Sequence, residues 1–417
     1  MPILANKNNI LYNQASYGEW RRPEDWLPMP TNITSSQDGF AGLYAIFPEG
    51  QNYAAFTFTT STGQYRVDWG NGTSSLYNSN TIASQSYDFA SISSSTLTSA
   101  GYKQAMITVT SVVSGSLRTC NFNQRFVTSP TQTQAYSTGF LDCILSMPSA
   151  STGASITFGG TTVSHGNLER FEIKTIGNAT STVGMFRNCF SLKVVPLFNT
   201  ANVTDMGNMF QNCYTIRTIP LFNTTNVTAS SGFSAGMNDM FASCLSLETV
   251  PLFDTSNVRL MTRMFQNCNS LKSVPAFNTS NVTNMNALFQ NCFSLSSIPT
   301  FNTANVTDMS FMFINCTNLQ SIPALSTAAI TTSAGTDFTN FAAGAFPVDR
   351  IQMIFARTVN ISSCQLSRTA IVEVFNNLVN RSATTSANIN VSSNWGASAL
   401  TAGDRAIATG KNWTITS

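Results

Sequence analysis

The pattern of apolar and polar positions turns into a repeat between Phe186 and Leu325. Phe210-Gln211-Asn212-Cys213 returns as Phe265-Gln266-Asn267-Cys268 and again as Phe289-Gln290-Asn291-Cys292. Cysteines fall at Cys189, Cys213, Cys244, Cys268, Cys292 and Cys316, spaced 24, 31, 24, 24 and 24 residues. The long interval holds a seven-residue insertion, Ala229 to Ala235. Pro196, Pro220, Pro251, Pro275, Pro299 and Pro323 each follow a β-branched residue, and Asn-Val recurs from Asn202 to Asn305. A fixed period of about 20–29 residues is the mark of a solenoid, whose coils bury their apolar face only against one another. The residue before proline favours extended backbone, which predicts a strand at Leu271-Lys272-Ser273-Val274-Pro275. On the return side Val282, Met285, Leu288 and Phe289 follow an i, i+3, i+6, i+7 spacing and predict a short helical turn.

Before the repeat, the chain reads as short strands. Ala54–Thr60, Gln64–Gly70, Tyr87–Phe89 and Ala105–Thr110 are separated by turn signals, Asn71-Gly72 the strongest of them; such spacing predicts a β-sandwich. After the repeat, Leu366–Leu378 has a helical period with Ser367 as N-cap. A last helix is expected over Leu400–Gly410, closed by Gly410, with strands at Ile389–Val391 and Trp413–Ile415. The expected fold is therefore β-rich and multidomain: residues 1–35 a docking arm, 36–165 a β-sandwich, 166–345 a leucine-rich-repeat-type solenoid of 24-residue coils, and 346–417 a C-terminal α/β cap. The arm carries Trp20, Arg21, Arg22 and Trp26 among three prolines. Aromatics beside arginine are typical interface anchors; the alternative is an arm packed on its own domain.

Charged residues make up 10% of the chain and the net charge is +2, which disfavours a broad basic face for nucleic acid. No stretch is long and apolar enough for a membrane helix, and Met1–Ile10 lacks the pattern of a secretory signal. A surface-type composition without a signal points to a virion component. Cysteines at one equivalent position per coil form a column rather than the converging set that zinc needs. They are expected to be buried small hydrophobes, although a disulfide between neighbouring coils stays open, since coils stack about 4.7–4.9 Å apart on a strand side. Phosphate-loop and dinucleotide motifs are missing, and no cofactor is expected. The single histidine, His165, reads as a solvated loop residue, which argues against a serine or cysteine triad. Asp205, Asp254 and Asp308 are dispersed, whereas a glycosidase needs two carboxylates converging on one groove.

The run Asn305-Val306-Thr307-Asp308-Met309-Ser310-Phe311-Met312-Phe313-Ile314-Asn315-Cys316-Thr317-Asn318-Leu319 resembles the BspA-like, DUF285-type leucine-rich repeats, and the resemblance covers Asn178 to about Leu325. Tyr65–Thr73 with Tyr87–Phe89 resembles PKD-type Ig-like domains, with Asn71 where those usually carry an acid. The first resemblance implies a surface protein of bacteria or some protists, often adhesive; the repeats also occur in proteins of bacteriophages. The function expected is thus a non-enzymatic structural or adhesive protein on a virion surface, a phage capsid or tail appendage. It would dock to other virion proteins by its N-terminal part, be homo-oligomeric, and present the solenoid to a host surface protein or glycan. Ser230, Ser231, Gly232, Phe233 and Ser234 in the insertion are the candidate recognition loop. The alternatives are a bacterial cell-surface adhesin and a polysaccharide-active phage appendage.

Overall fold

A computed structural model describes residues 20–49, 52–61, 63–124, 126–129, 132–134, 139–160, 164–228, 235–325, 338, 340–345 and 348–417. The chain forms two compact units, one running to Asn202 and including Cys213–Ile216, the other comprising Val203–Asn212 and Arg217–Ser417. The protein is β-rich, and solenoid coils recur over residues 142–416, about nine turns in all.

The first unit holds β1 (Gly39–Ile46), β2 (Asn52–Thr60), β3 (Gln64–Asp68), β4 (Ser74–Asn78), β5 (Ala83–Tyr87), β6 (Lys103–Ser111), β7 (Leu117–Asn121), β8 (Phe126–Ser129), β9 (Gln132–Gln134), β10 (Phe140–Ser146), β11 (Ile156–Thr157) and β12 (Arg170–Thr175). One sheet runs β12-β10-β1-β6-β3-β4, a second β11-β7-β2-β5, and β8 pairs with β9. Alternation along β1 sends Phe40 towards the second sheet. There its ring lies 6.3 Å from both Phe56 and Phe58 of β2 and 4.8 Å from Phe122. Gly42 is required in the same row, because a Cβ there would stand 2.4 Å from the Phe140 ring. The two sheets thus enclose an aromatic core.

Parallel pairing appears in this unit where β11 meets β7 and again at the first coils. β10 pairs with β12 in the parallel sense, and Arg170 of β12 bridges to Val194 in the same sense.

In the second unit the return side is a ribbon of turns rather than a helical turn. The N–H groups of Met285, Ala287, Phe289 and Asn291 donate one coil onward, to the carbonyls of Asp308, Ser310, Met312 and Ile314, at 2.8–3.0 Å. Those of Leu288, Gln290 and Cys292 donate three residues back at 3.1–3.2 Å. A helix would turn every N–H inward along its own segment; here alternate donors leave the coil and hold its neighbour. The alternation needs two left-handed residues per coil, such as Ala287 (φ 54°) and Asn291 (φ 61°), and the same pair recurs at Arg263 and Asn267 and at Phe311 and Asn315.

The strand expected at Leu271–Pro275 is extended backbone without a ladder. Few bonds join the coils on this side: Lys272 N–H to Glu248 at 3.2 Å, Ser296 N–H to Lys272 at 3.1 Å and Gln320 N–H to Ser296 at 3.3 Å, with Ser270 N–H to Leu245 and Ser294 N–H to Asn269 at 3.1 Å just before them. Pro275 has no N–H to continue a ladder. Strand pairing at this level is found where β13 (Ser321–Ile322) lies parallel to β14 (Arg350–Ile351).

Beyond β14 follow β15 (Val359–Asn360), α1 (Arg368–Asn376), β16 (Ala387–Asn390), α2 (Ala402–Thr409) and β17 (Trp413–Thr416), the three strands forming a parallel sheet β15-β16-β17. Ser367 caps α1 by accepting from Ala370 N–H at 3.2 Å. Thr401 and Asp404 form a capping box on α2. Gly410 closes α2 with an ordinary φ of −64° rather than a left-handed one.

Candidate functional site

The candidate docking arm is used by its own unit. Trp26 is buried with Leu43, Ala45, Tyr102 and Leu141, and its indole N–H donates to the Tyr102 hydroxyl at 2.8 Å. Leu43 and Ala45 alternate with Phe40 and Tyr44 along β1, so Trp26 covers the face of the sheet turned away from the aromatic core. Arg22 binds Asp142, a fully buried carboxylate of β10, at 2.8 Å, and Arg170 reaches the same carboxylate at 3.1 Å. Trp20 donates to Glu169 at 2.8 Å. Of the four arm residues, Arg21 is the exposed one. The candidate recognition loop, Ser230 to Ser234, lies outside the described residues.

His165 is not a solvated loop residue. It is fully buried, 4.5 Å from the Phe158 ring, and burial pushes its pKa down to about 3. An imidazole among phenyl rings is neutral at physiological pH, because the charged form would lose its hydration. Polarity of Thr161–Asn167 alone suggested exposure; the rings of Phe140 and Phe158, which close on His165, lie outside that run.

The six repeat cysteines are free and buried. Each repeat thiol in the second unit donates back one coil to a phenylalanine carbonyl: Cys244 to Phe210 at 3.2 Å, Cys268 to Phe241 at 3.1 Å, Cys292 to Phe265 at 3.0 Å and Cys316 to Phe289 at 3.1 Å. In the first unit Cys213 donates to Phe186, and Cys189 is buried with its thiol pushed up by desolvation. That carbonyl also accepts the N–H of the cysteine in its own coil, as Phe265 does from Cys268 at 3.1 Å. One oxygen with two lone pairs thus serves two donors. Burial drives the Cys316 thiol up to about 12 and Cys268 and Cys292 well above the usual value, so the column is protonated and poorly nucleophilic. In the last coil Asn394 takes this place, donating to Ile361 at 3.0 Å and Val391 at 2.8 Å.

Two further ladders run along the coils. Asn315 donates its amide to Asn291 at 2.9 Å, and Asn291 to Asn267 at 2.7 Å. The Asn-Val asparagines reach back as well: Asn281 to the Ser256 carbonyl at 2.6 Å and Asn305 to Ser280 at 2.7 Å. These are the asparagines of the recurring Asn-Val pairs. The Asn267 ladder was missed, though a signal existed: Asn tolerates the left-handed region, and it stands before cysteine in five of the six coils.

The dispersed acids cap separate turns. Asp205 accepts from Gly207 N–H at 3.1 Å, Asp254 from Ser256 at 3.0 Å and Asp308 from Ser310 at 2.9 Å. Other charges pair along the coils, as in the bidentate Arg263–Asp239 contact at 2.8 Å and the Lys272–Glu248 pair at 2.9 Å. Among the described residues, no group of three or more His, Cys, Asp or Glu is placed to hold a metal ion, and no helix is long and apolar enough to cross a membrane.

Residues 154–236, 180–292 and 235–345 match the family described as "Mycoplasma protein of unknown function, DUF285". The repeat region of this chain is similar to that family. No curated protein matches the chain. The DUF285 repeats and the stacked coils together suggest a repeat protein of the surface or adhesin type. In DUF285 terms, the Phe-Gln-Asn-Cys segment supplies ring, amide and thiol, each continuing a ladder from coil to coil.

Proposed function

We propose that this DUF285 repeat protein is a non-enzymatic structural and adhesive component displayed on a virion surface, a phage capsid or tail appendage. The observation that carries the non-catalytic reading is the placement of the ionisable groups. His165 is neutral in an aromatic core, the thiols of Cys268, Cys292 and Cys316 are held protonated, Asp205, Asp254 and Asp308 each close a turn of their own coil, and Asp239 and Glu248 are ion-paired. Those are positions that build a rigid rod rather than move protons. The rod's polar surface of Ser, Thr and Asn carries little charge, which suits contact with an uncharged host surface or with other copies. The N-terminal unit would dock to virion partners through its exterior, Arg21 included.

A second reading, a bacterial cell-surface adhesin, is favoured by the family description, which names a Mycoplasma protein. An antibody to residues 166–345 distinguishes the two. Label on projections of purified particles supports the appendage. Unlabelled particles with labelled cell envelopes replace it with the adhesin. A polysaccharide-active appendage would release reducing ends from host glycan, and purified protein is expected to release none.

A further inference from the structure

The turn between β3 and β4 differs from every other asparagine environment described above. Asn71 is followed by Gly72, and the turn is closed by Trp69 N–H on the Thr73 carbonyl at 3.0 Å. The Asn71 side-chain oxygen accepts from Thr73 N–H at 3.0 Å and from the Thr73 hydroxyl at 2.6 Å. Its amide nitrogen and the N–H of Gly72 have no hydrogen-bond partner among the described residues. Gly72 is exposed with φ +85°, and nothing lies within 4 Å of where a Cβ would stand.

We propose that Asn71 is a site of spontaneous deamidation. The reaction needs an unhindered backbone nitrogen, an electrophilic side-chain carbon and an amide nitrogen free to leave, and this turn offers all three. Gly72 N–H gives its proton to hydroxide, its nitrogen attacks the Asn71 side-chain carbon to form a C–N bond, the side-chain nitrogen takes a proton from water, its bond to carbon breaks, and ammonia departs with hydroxide regenerated. Two donors on the side-chain oxygen stabilise the charge that develops there. Water then opens the five-membered imide at either carbonyl, giving aspartate or isoaspartate at position 71. No redox change occurs, and water is the only co-reactant.

The ladder asparagines make the internal contrast. Asn291 and Asn315 donate their amide nitrogens to neighbouring coils, and each precedes a buried cysteine rather than a glycine. Their leaving group is held and the attacking nitrogen is hindered. The product at Asn71 brings a second carboxylate into a turn that already holds Asp68, whose oxygen accepts from Gly70 N–H at 2.9 Å. The isoaspartate form also lengthens the backbone inside a closed hairpin turn. The protein would therefore acquire a more acidic β3–β4 tip with age.

The test uses the folded full chain made in a bacterial host, which does not glycosylate Asn71-Gly72-Thr73. Samples aged at pH 8 and pH 5 are mapped by peptide mass spectrometry with enzymatic isoaspartate labelling. Amide loss is expected first at Asn71, faster at pH 8, with the aged band co-migrating with Asn71→Asp. Gly72→Ala should slow it about tenfold, which is 1.36 kcal/mol of barrier. Thr73→Val, which leaves the backbone turn intact, should slow it by a smaller factor. The proposal is overturned if Asn71 keeps its amide while ladder asparagines convert, or if both variants age at the wild-type rate.

Discussion

The sandwich and the solenoid both rest on phenylalanine, yet they arrange it differently. In the sandwich, rings meet at many different angles: 84° for Phe40 and Phe140, 87° for Phe56 and Phe58, 47° for Phe40 and Phe122, and 31° for Phe122 and Phe158. In the second unit, Phe210, Phe241, Phe265, Phe289 and Phe313 stack with planes within 10° and centroids 5.6–5.9 Å apart. Edge-to-face and offset-stacked pairs are both favourable geometries. What selects between them is the backbone. Sandwich rings arrive from unrelated strands, and each finds its own orientation. Solenoid rings are carried by coils already held in register, so one geometry is copied. The column ends as soon as the copying ends: Phe341, beyond the regular coils, meets Phe313 at 89°.

The largest effects should come from removing a ring on each side of this comparison. Phe56→Ala and Phe289→Ala should each cost about 3–5 kcal/mol. They should part in cooperativity. A coil depends on its nearest neighbours, so urea unfolding of Phe289→Ala should broaden, with a lower m-value, while Phe56→Ala shifts its transition without broadening. Equal m-values would erase the distinction.

Next is the amide ladder, which the sandwich lacks. Asn291→Ala removes two side-chain bonds worth about 1 kcal/mol each and forces alanine to a φ of 61°, a further ~1–2 kcal/mol. Asn291→Gly loses the bonds but not the backbone preference. The stability order should be Asn, then Gly, then Ala, read from thermal melts.

The pH response should belong to the sandwich side. His165 has a folded pKa of about 3 against about 6.5 unfolded. The unfolded chain binds the extra proton between those values, so this contribution is full above about pH 6.5 and falls by up to about 1.4 kcal/mol per pH unit towards pH 3. His165→Phe should flatten that limb in acid unfolding curves. The smallest effect is expected at the solvent-facing Lys272–Glu248 pair, where Lys272→Ala should change stability by less than about 1 kcal/mol; a larger loss would mean that surface charge, not the ladders, joins the coils.

Periodicity makes equivalence legible: which residues share a column follows from the 24-residue spacing, and the rings, thiols and Asn-Val asparagines were all found that way. It does not reveal which carbonyl a donor meets. The alternating N–H ribbon therefore looked helical, since Val282, Met285, Leu288 and Phe289 are buried at helix-like intervals although half of the bonds leave the coil. Outside the repeat, no copy exists to compare. The burial of Trp26 depends on partners far along the chain, Leu141 among them, and that of His165 on the Phe140 and Phe158 rings folding over it; local polarity shows neither.

On the ribbon, the alternate backbone donors from Met285 to Asn291 point onward, whereas thiols and amide ladders point back. Every regular coil offers its follower the same set of carbonyls and side chains that it takes from its predecessor. A gene segment encoding one unit can thus be duplicated or lost with each new junction finding its bonds already matched. The rod's reach would change in discrete steps, while the sandwich, whose core has no interchangeable layer, would keep its size.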